Sequence, residues 1–228
     1  MPHATLGASP EIDLDAELDR QRRLLLDTGV AADADLGADE LSTAVDGLRP
    51  ALRALGPPAA PTPSAAPVVL VLSSGDHERD QAAAARQVLD LRLTGRREPG
   101  VLDRNHGVDG LVPYRPIAEV GPPPARVHAL VGVERGEEFC GVPPQDALPV
   151  ILGRGRTPLT IPEGIALVRA FPAMLEKNRC FMLSGSRRGD RRVPALWITG
   201  RSPKLGWCWD GNPHSWLGVA STAARLAG

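Results

Sequence analysis

The chain has 228 residues, 43% hydrophobic and 23% charged, with a net charge of −1, a composition that suits one ordinary globular domain or a domain with a small appendage. Its longest aliphatic run, Val68-Val69-Leu70-Val71-Leu72, is far short of the roughly 20 residues of a membrane helix, and the acidic opening at Glu11, Asp13 and Asp15 is unlike a signal peptide. Three cysteines, Cys140, Cys180 and Cys208, cannot all pair within one chain, which argues against a secreted disulfide scaffold; a cytoplasmic protein with no membrane partner is the expectation.

The small net charge conceals a gradient. Residues 1–56, 57–150 and 151–228 carry nets of −6, −3 and +8. The basic final third is therefore expected to face an anion, either an external ligand or the chain's own acidic N-terminal segment. Only Lys177 and Lys204 among the 26 basic residues are lysines; this bias, with abundant Ala, Gly and Pro, is what a GC-rich genome encodes.

In chain order, residues 11–28 place Leu14, Leu18 and Leu25 on one helical face, with Gly29 as a stop. A second helix is predicted over residues 40–55 from Leu41, Val45, Leu48, Leu52 and Leu55, with Pro50 as a potential kink. Residues 1–56 thus read as an acidic helical hairpin. Residues 57–67, rich in Pro and Ala and uncharged, read as a semi-rigid linker.

The remainder, 68–228, reads as an α+β domain. A buried strand over 68–72, a helix over 80–93, a weak strand over 111–117, a strand over 127–133 and a Pro-initiated helix over 143–152 follow one another. Thr160-Ile161-Pro162-Glu163 has the form of a capping box and opens a helix that presents Ile161, Ile165, Val168 and Leu175 to a core, with Pro172 to distort or end it. Residues 180–183, 193–199 and 204–209 then read as three antiparallel strands.

No dinucleotide loop, GK[ST] phosphate loop, HExxH or GxSxG occurs, so common nucleotide-dependent and serine-hydrolase chemistries find no support. The chemistry-bearing residues concentrate near the C-terminus instead. All four tryptophans, Trp197, Trp207, Trp209 and Trp216, lie beside Cys208, Asn212 and His214. In a strand, Trp207 and Trp209 share one face and Cys208 takes the other. Burial in a core is the plain alternative for the tryptophans, and for Cys180 and Cys208 as small hydrophobes. Histidine's reference pKa lies near neutrality, which makes His214 a candidate general acid–base. A Cys208/His214 nucleophilic pair is weaker, and the spacings match no zinc pattern, so no metal site is expected. The second constellation runs from Ser184 to Arg192. There Arg187, Arg188 and Arg191 either grip a carboxylate or phosphate or form a solvated hairpin tip neutralised by Asp190.

The stretches GRGRTPLTIPEGIALVRAFP, KNRCFMLSGSRRGDRRVPALWITG and PKLGWCWDGNPHSWLGVAS resemble the C-terminal block of an uncharacterised actinobacterial family known only as a domain of unknown function. The similarity spans residues 140–221, with the WCW-x-GNPH-x-WLG run as its most specific part. The opening helix is similar but less distinctive, and residues 74–126 depart from the family's pattern. The resemblance implies an intracellular actinobacterial protein and imports no reaction.

The expected function is binding, and possible acid–base modification, of a small anionic metabolite. Arg187, Arg188, Arg191 and Lys204 would orient the anion, Trp207, Trp209 and Asn212 would surround it, and Asp190, His214 or Cys208 would act chemically. The alternatives are a single-stranded nucleic-acid accessory protein, with basic and aromatic groups interleaved, or a structural interaction module. The sequence names no cofactor.

Overall fold

The computed structural model describes residues 11–227; the first ten residues of the expected acidic segment lie outside them. Helix α1 (Leu14–Asp27) is capped by Asp13, whose carboxylate accepts from Asp15 N at 2.9 Å and Ala16 N at 3.2 Å. Gly29, at φ 74°, turns the chain into the short α2 (Val30–Asp33), and α3 (Ala38–Ala54) follows. Pro50 lies inside α3, which continues through it. Arg49 joins the two long helices, reaching Asp15 at 2.5 Å and Asp19 at 2.7 Å. Their leucine faces are buried together against Val68, Leu70, Val127 and Ala129, so the acidic hairpin covers one side of a sheet.

That sheet is built around β4 (Val127–Glu134), flanked at one edge by β1 (Ala65–Leu72) and at the other by two late strands, β11 (Ser221–Thr222) and β12 (Ala224–Ala227). β1 starts inside the stretch expected as a linker. β5 (Thr157–Pro158) pairs β11 outermost. Antiparallel pairing sets Val69 against Leu130 and Val71 against His128, and these residues face away from the helical hairpin. Nearer the start of β1 the alternation slips. Ala66 and Val133 face the main core while Val68 and Val131 face the helices, with Pro67 and the left-handed Gly132 (φ 60°) between them.

The second sheet runs β10 (Leu217–Val219), β6 (Cys180–Met182), β8 (Arg192–Thr199), β9 (Ser202–Trp209) and β2 (Val101–Leu102). Its antiparallel β6–β8–β9 portion is the expected three-strand unit, so the fold is α+β, with helices first and antiparallel strands late. Between the sheets lie α4 (His77–Asp90), α5 (Pro144–Gly153) and α6 (Ile161–Ala170), sharing one core that contains Val88, Ile151, Ile165 and Val168 with Phe181 and Leu196. The weak strand expected over 111–117 is only β3 (Arg115–Pro116), paired with β7 (Ser186–Arg187). Pro113 and Pro116, with Gly107 and Gly110 at positive φ before them, leave little backbone for a longer ladder.

Gly136 and Gly206 are among the glycines whose place a Cβ could not take without a collision. Gly136, at φ 72°, would put a Cβ 2.1 Å from the Val219 carbonyl oxygen, and a Cβ on Gly206 would sit 2.1 Å from the Trp197 ring. The indole therefore lies across the glycine of the neighbouring strand.

Candidate functional site

The β8–β9 ladder divides the residues expected to act together. Arg192 pairs with Trp209 and Pro194 with Trp207, whereas Trp197 pairs with Lys204 and Val193 with Cys208. Trp207 and Trp209 are thus on one face, and Trp197, Lys204 and Cys208 on the other. On the first face the two indoles meet edge-on at 4.8 Å, Arg192 lies 4.6 Å over Trp207, and Trp207 Nε1 donates to Asn105 O at 3.1 Å. Trp209 and Asn212 are exposed. On the second face His214 meets Trp216 edge-on at 5.6 Å, and Trp216 meets Trp197 at 6.3 Å. His214 thereby joins the Trp197 group, and burial lowers its pKa.

Most cations of this region already face a carboxylate. Arg187 donates to Asp210 at 3.0 Å, Lys204 lies 2.7 Å from Asp103, and Asp190 sits between Arg188 at 3.4 Å and Arg192 at 3.6 Å. Arg191 is exposed, its guanidinium over Gly211, where a Cβ would meet Nη2 at 2.8 Å. Cys208 is buried with Sγ 3.3 Å from the Met182 sulfur, and burial pushes its thiol up to about 12, the reverse of what activates a nucleophile. Arg187, Arg188 and Arg192 are thus half-buried beside acidic partners, with Arg187 Nη1 left without a hydrogen bond among the described residues.

A different group of polar residues is unsatisfied. A cavity of about 310 Å³ opens between the end of β1, the first turn of α4, the start of α6 and a wall of Pro116, Pro122, Pro123 and Pro124. His128 of β4 and Gln81 of α4 line it, 4% and 3% exposed. Neither His128 ring nitrogen nor the Gln81 Oε1 has a hydrogen-bond partner among the described residues. Other buried polar atoms, both ring nitrogens of His106 among them, are also without partners among the described residues, but Gln21 gives the contrast. Gln21, equally buried, donates to Val68 O at 2.9 Å and Glu17 at 2.7 Å and accepts from Leu70 N at 2.8 Å. A buried polar group left unpaired costs about 1–3 kcal/mol, and such groups are rare unless something else occupies their bonds.

Behind His128 stands a buried ion pair. Glu163, third residue of α6, accepts from Thr160 N at 2.7 Å, the return half of the expected capping box. Its carboxylate is also gripped from β12 by Arg225, whose Nε and Nη2 reach Oε1 and Oε2 at 2.6 and 2.8 Å. Burial alone pushes the Glu163 carboxyl up, but the bonds from Arg225, with the nearby His128 ring adding to them, outweigh it and hold it down at about 2. Glu163 Oε1 lies 3.5 Å from His128 Nε2. A carboxylate there favours the tautomer with hydrogen on Nε2, leaving Nδ1 as acceptor.

The other ionic groups around the cavity are matched. Asp80 accepts from Ser73 Oγ at 2.6 Å and from Ser74 N and Oγ at 2.7 Å each. Arg126 donates to the carbonyl oxygens of Ser73, Ala34 and Asp35. No cluster of His, Cys, Asp and Glu suited to a metal ion occurs among the described residues. His128 and Gln81 carried no motif; the one sequence signal was a histidine interrupting the apolar run Val127–Val133.

A family model described only as a family of unknown function, DUF5701, matches residues 24–228, and the chain belongs to that family. The match takes in the whole middle region, 74–126, which looked divergent from sequence, and with it Gln81. No curated protein and no solved structure matches.

Proposed function

We propose that this member of the family binds a small polar molecule in the cavity between β1, α4 and α6 and exchanges a proton with it through His128. The observation that carries the reading is the pair of buried polar side chains without hydrogen bonds, Gln81 and His128, on the wall of one cavity. A concave, largely preformed pocket with a few convergent polar groups is the ordinary form of a ligand site. A proton leaving the ligand would pass to His128 Nδ1, with the Glu163 carboxylate beside Nε2 to balance the imidazolium. Glu163 and Arg225 act as positioning residues. An intracellular actinobacterial setting belongs to the same proposal and is supported by the arginine-rich, lysine-poor composition; no helix among the described residues is long and apolar enough to cross a membrane.

The test is a small-molecule fragment screen followed by two-dimensional NMR on the whole chain. Shifts clustered on the Gln81 side-chain amide, the His128 ring and the Val71 and Leu72 methyls support the cavity. Shifts confined to the Trp207 and Trp209 indole signals, with none at Gln81, would overturn it.

The second reading is single-stranded nucleic-acid binding at the β8–β9 hairpin, favoured by the half-exposed Trp209 beside Trp207 and Arg192. Aromatic groups next to guanidinium suit unpaired bases. Titration with a short oligonucleotide at low salt should then shift both indole signals and lose affinity steeply as salt rises.

A further inference from the structure

We infer that the ligand of this cavity is uncharged and polyhydroxylated, a sugar-like or polyol molecule; the inference rests on the cavity being the binding site.

Two observations carry it. First, the ionic groups lining the cavity are compensated within the protein: Glu163 by Arg225 and the Thr160 amide, Asp80 by the Ser73 and Ser74 hydroxyls and the Ser74 amide. Arg126 is turned onto backbone carbonyls. An anion entering would meet the carboxylates of Asp80 and Glu163 and would have to draw Arg126, which has no carboxylate partner among the described residues, off its carbonyl oxygens, and a cation would find both carboxylates already holding donors. Second, the bonds left open belong to an amide, an imidazole and a hydroxyl, groups of mixed polarity. The Gln81 carboxamide offers an acceptor and donors, and His128 Nδ1 accepts. The Ser186 Oγ, which takes the Ile161 N–H at 3.0 Å, still has its own hydrogen to give.

A hydroxyl group is both donor and acceptor, so a molecule carrying several of them on adjacent carbons matches such a wall wherever each falls. Its C–H surfaces would lie against the four prolines, whose rings are rigid and have no N–H to satisfy. Wall and ligand thus share the alternation of C–H and O–H. The volume of about 310 Å³ is at the lower end for ligand sites, in keeping with a monosaccharide-sized occupant.

The experiment uses the full chain with glucose, ribose and myo-inositol as uncharged probes and gluconate and inorganic phosphate as charged counterparts, read by NMR titration at the Gln81 side-chain amide and His128 ring. At least one uncharged probe should saturate these signals. Gln81→Met, which keeps the side chain's length and removes its amide, should weaken that binding about tenfold or more while leaving the melting temperature at or above that of the wild type. Stronger saturation by gluconate or phosphate would overturn the ligand class while leaving the site standing. So would a cavity that answers unrelated fragments and none of the uncharged probes. If neither probes nor fragments move Gln81 and His128, the site itself falls. Retained affinity in Gln81→Met would also defeat the inference, because the open amide would then play no part.

Discussion

Replacing Arg225 by Met keeps most of the apolar stem and removes the guanidinium that grips Glu163. In the intact protein the carboxyl is held at about 2 against an ordinary 4.5, a difference worth about 3 kcal/mol at neutral pH. Breaking a buried ion pair from one side typically costs 3–5 kcal/mol, so the two routes agree on about 3 kcal/mol or somewhat more. For a chain of this size that lowers the melting temperature by about 6–12 °C. The pH dependence supplies a sharper signature. A depressed carboxyl contributes stability that is present above pH 4.5 and lost as pH falls toward 2. In Arg225→Met burial still raises the Glu163 pKa and its chief opponent has gone, so protonation relieves the variant and the gap between it and the wild type should narrow on acidification from pH 7 to 5. Adding Glu163→Gln to the same chain should recover much of the loss, since no buried charge then remains. Urea unfolding of the three proteins at both pH values measures all of this. A variant within about 0.5 kcal/mol of wild type, or a gap that widens on acidification, would show that the pair is not what holds β12 to α6.

Gln81→Met should be neutral or stabilising, whereas Gln21→Met should cost about 2 kcal/mol or more by removing two buried hydrogen bonds and a third that is partly buried; equal effects in thermal unfolding would erase the contrast on which the site rests. His106 is buried edge-on to Tyr114 at 5.6 Å, and burial lowers its pKa from 6.5 to about 4, with Asp103 pulling the other way. The unfolded chain takes the proton first, so the wild type should lose about 3 kcal/mol as pH falls from 6.5 to 4. His106→Phe should flatten that part of the stability profile, and an unchanged slope would place the titration elsewhere. Cys208, pushed up to about 12, should resist iodoacetamide at pH 8 in the folded protein and react in urea; peptide mapping that finds equal labelling in both would restore it as a reactive thiol. Gly136→Ala should destabilise by about 2 kcal/mol or more, from the left-handed backbone and the Val219 oxygen in the Cβ's place, and a wild-type melting temperature would refute that geometry.

The parts of the fold legible in the sequence are those whose information is local. Leucines three and four apart announce α1 and α3, Thr160 and Glu163 announce the start of α6, and alternation announces β6, β8 and β9. The site was less legible because its determinants are separated along the chain. Glu163 was readable as a cap, but its second role depends on Arg225, 62 residues later, and no local pattern marks that pairing. Gln81 sits in an alanine-rich helix where a polar residue reads as solvent-facing. The Arg and Trp residues near the C-terminus drew attention because they are crowded in sequence, yet a β-ladder sends neighbours to opposite faces, and the turn carries His214 to the Trp197 side. Crowding along a chain is therefore a poor measure of convergence in space.

The position of β4 has a consequence for the order in which the molecule is assembled. One edge of this strand is closed early by β1, but the other waits for residues 221–227; the bond from the Thr222 hydroxyl to Val131 O spans 91 residues. Closing such a loop is slow relative to forming helices or hairpins. Until it closes, β4 offers an open edge to any other strand, and Glu163 is a carboxylate with no counter-ion. Both defects end in one event, the docking of β12. Closure of the sheet, neutralisation of the buried carboxylate and the pairing of Ala227 with His128 all depend on β12, so a chain lacking those last residues is expected to expose a strand edge open to aggregation.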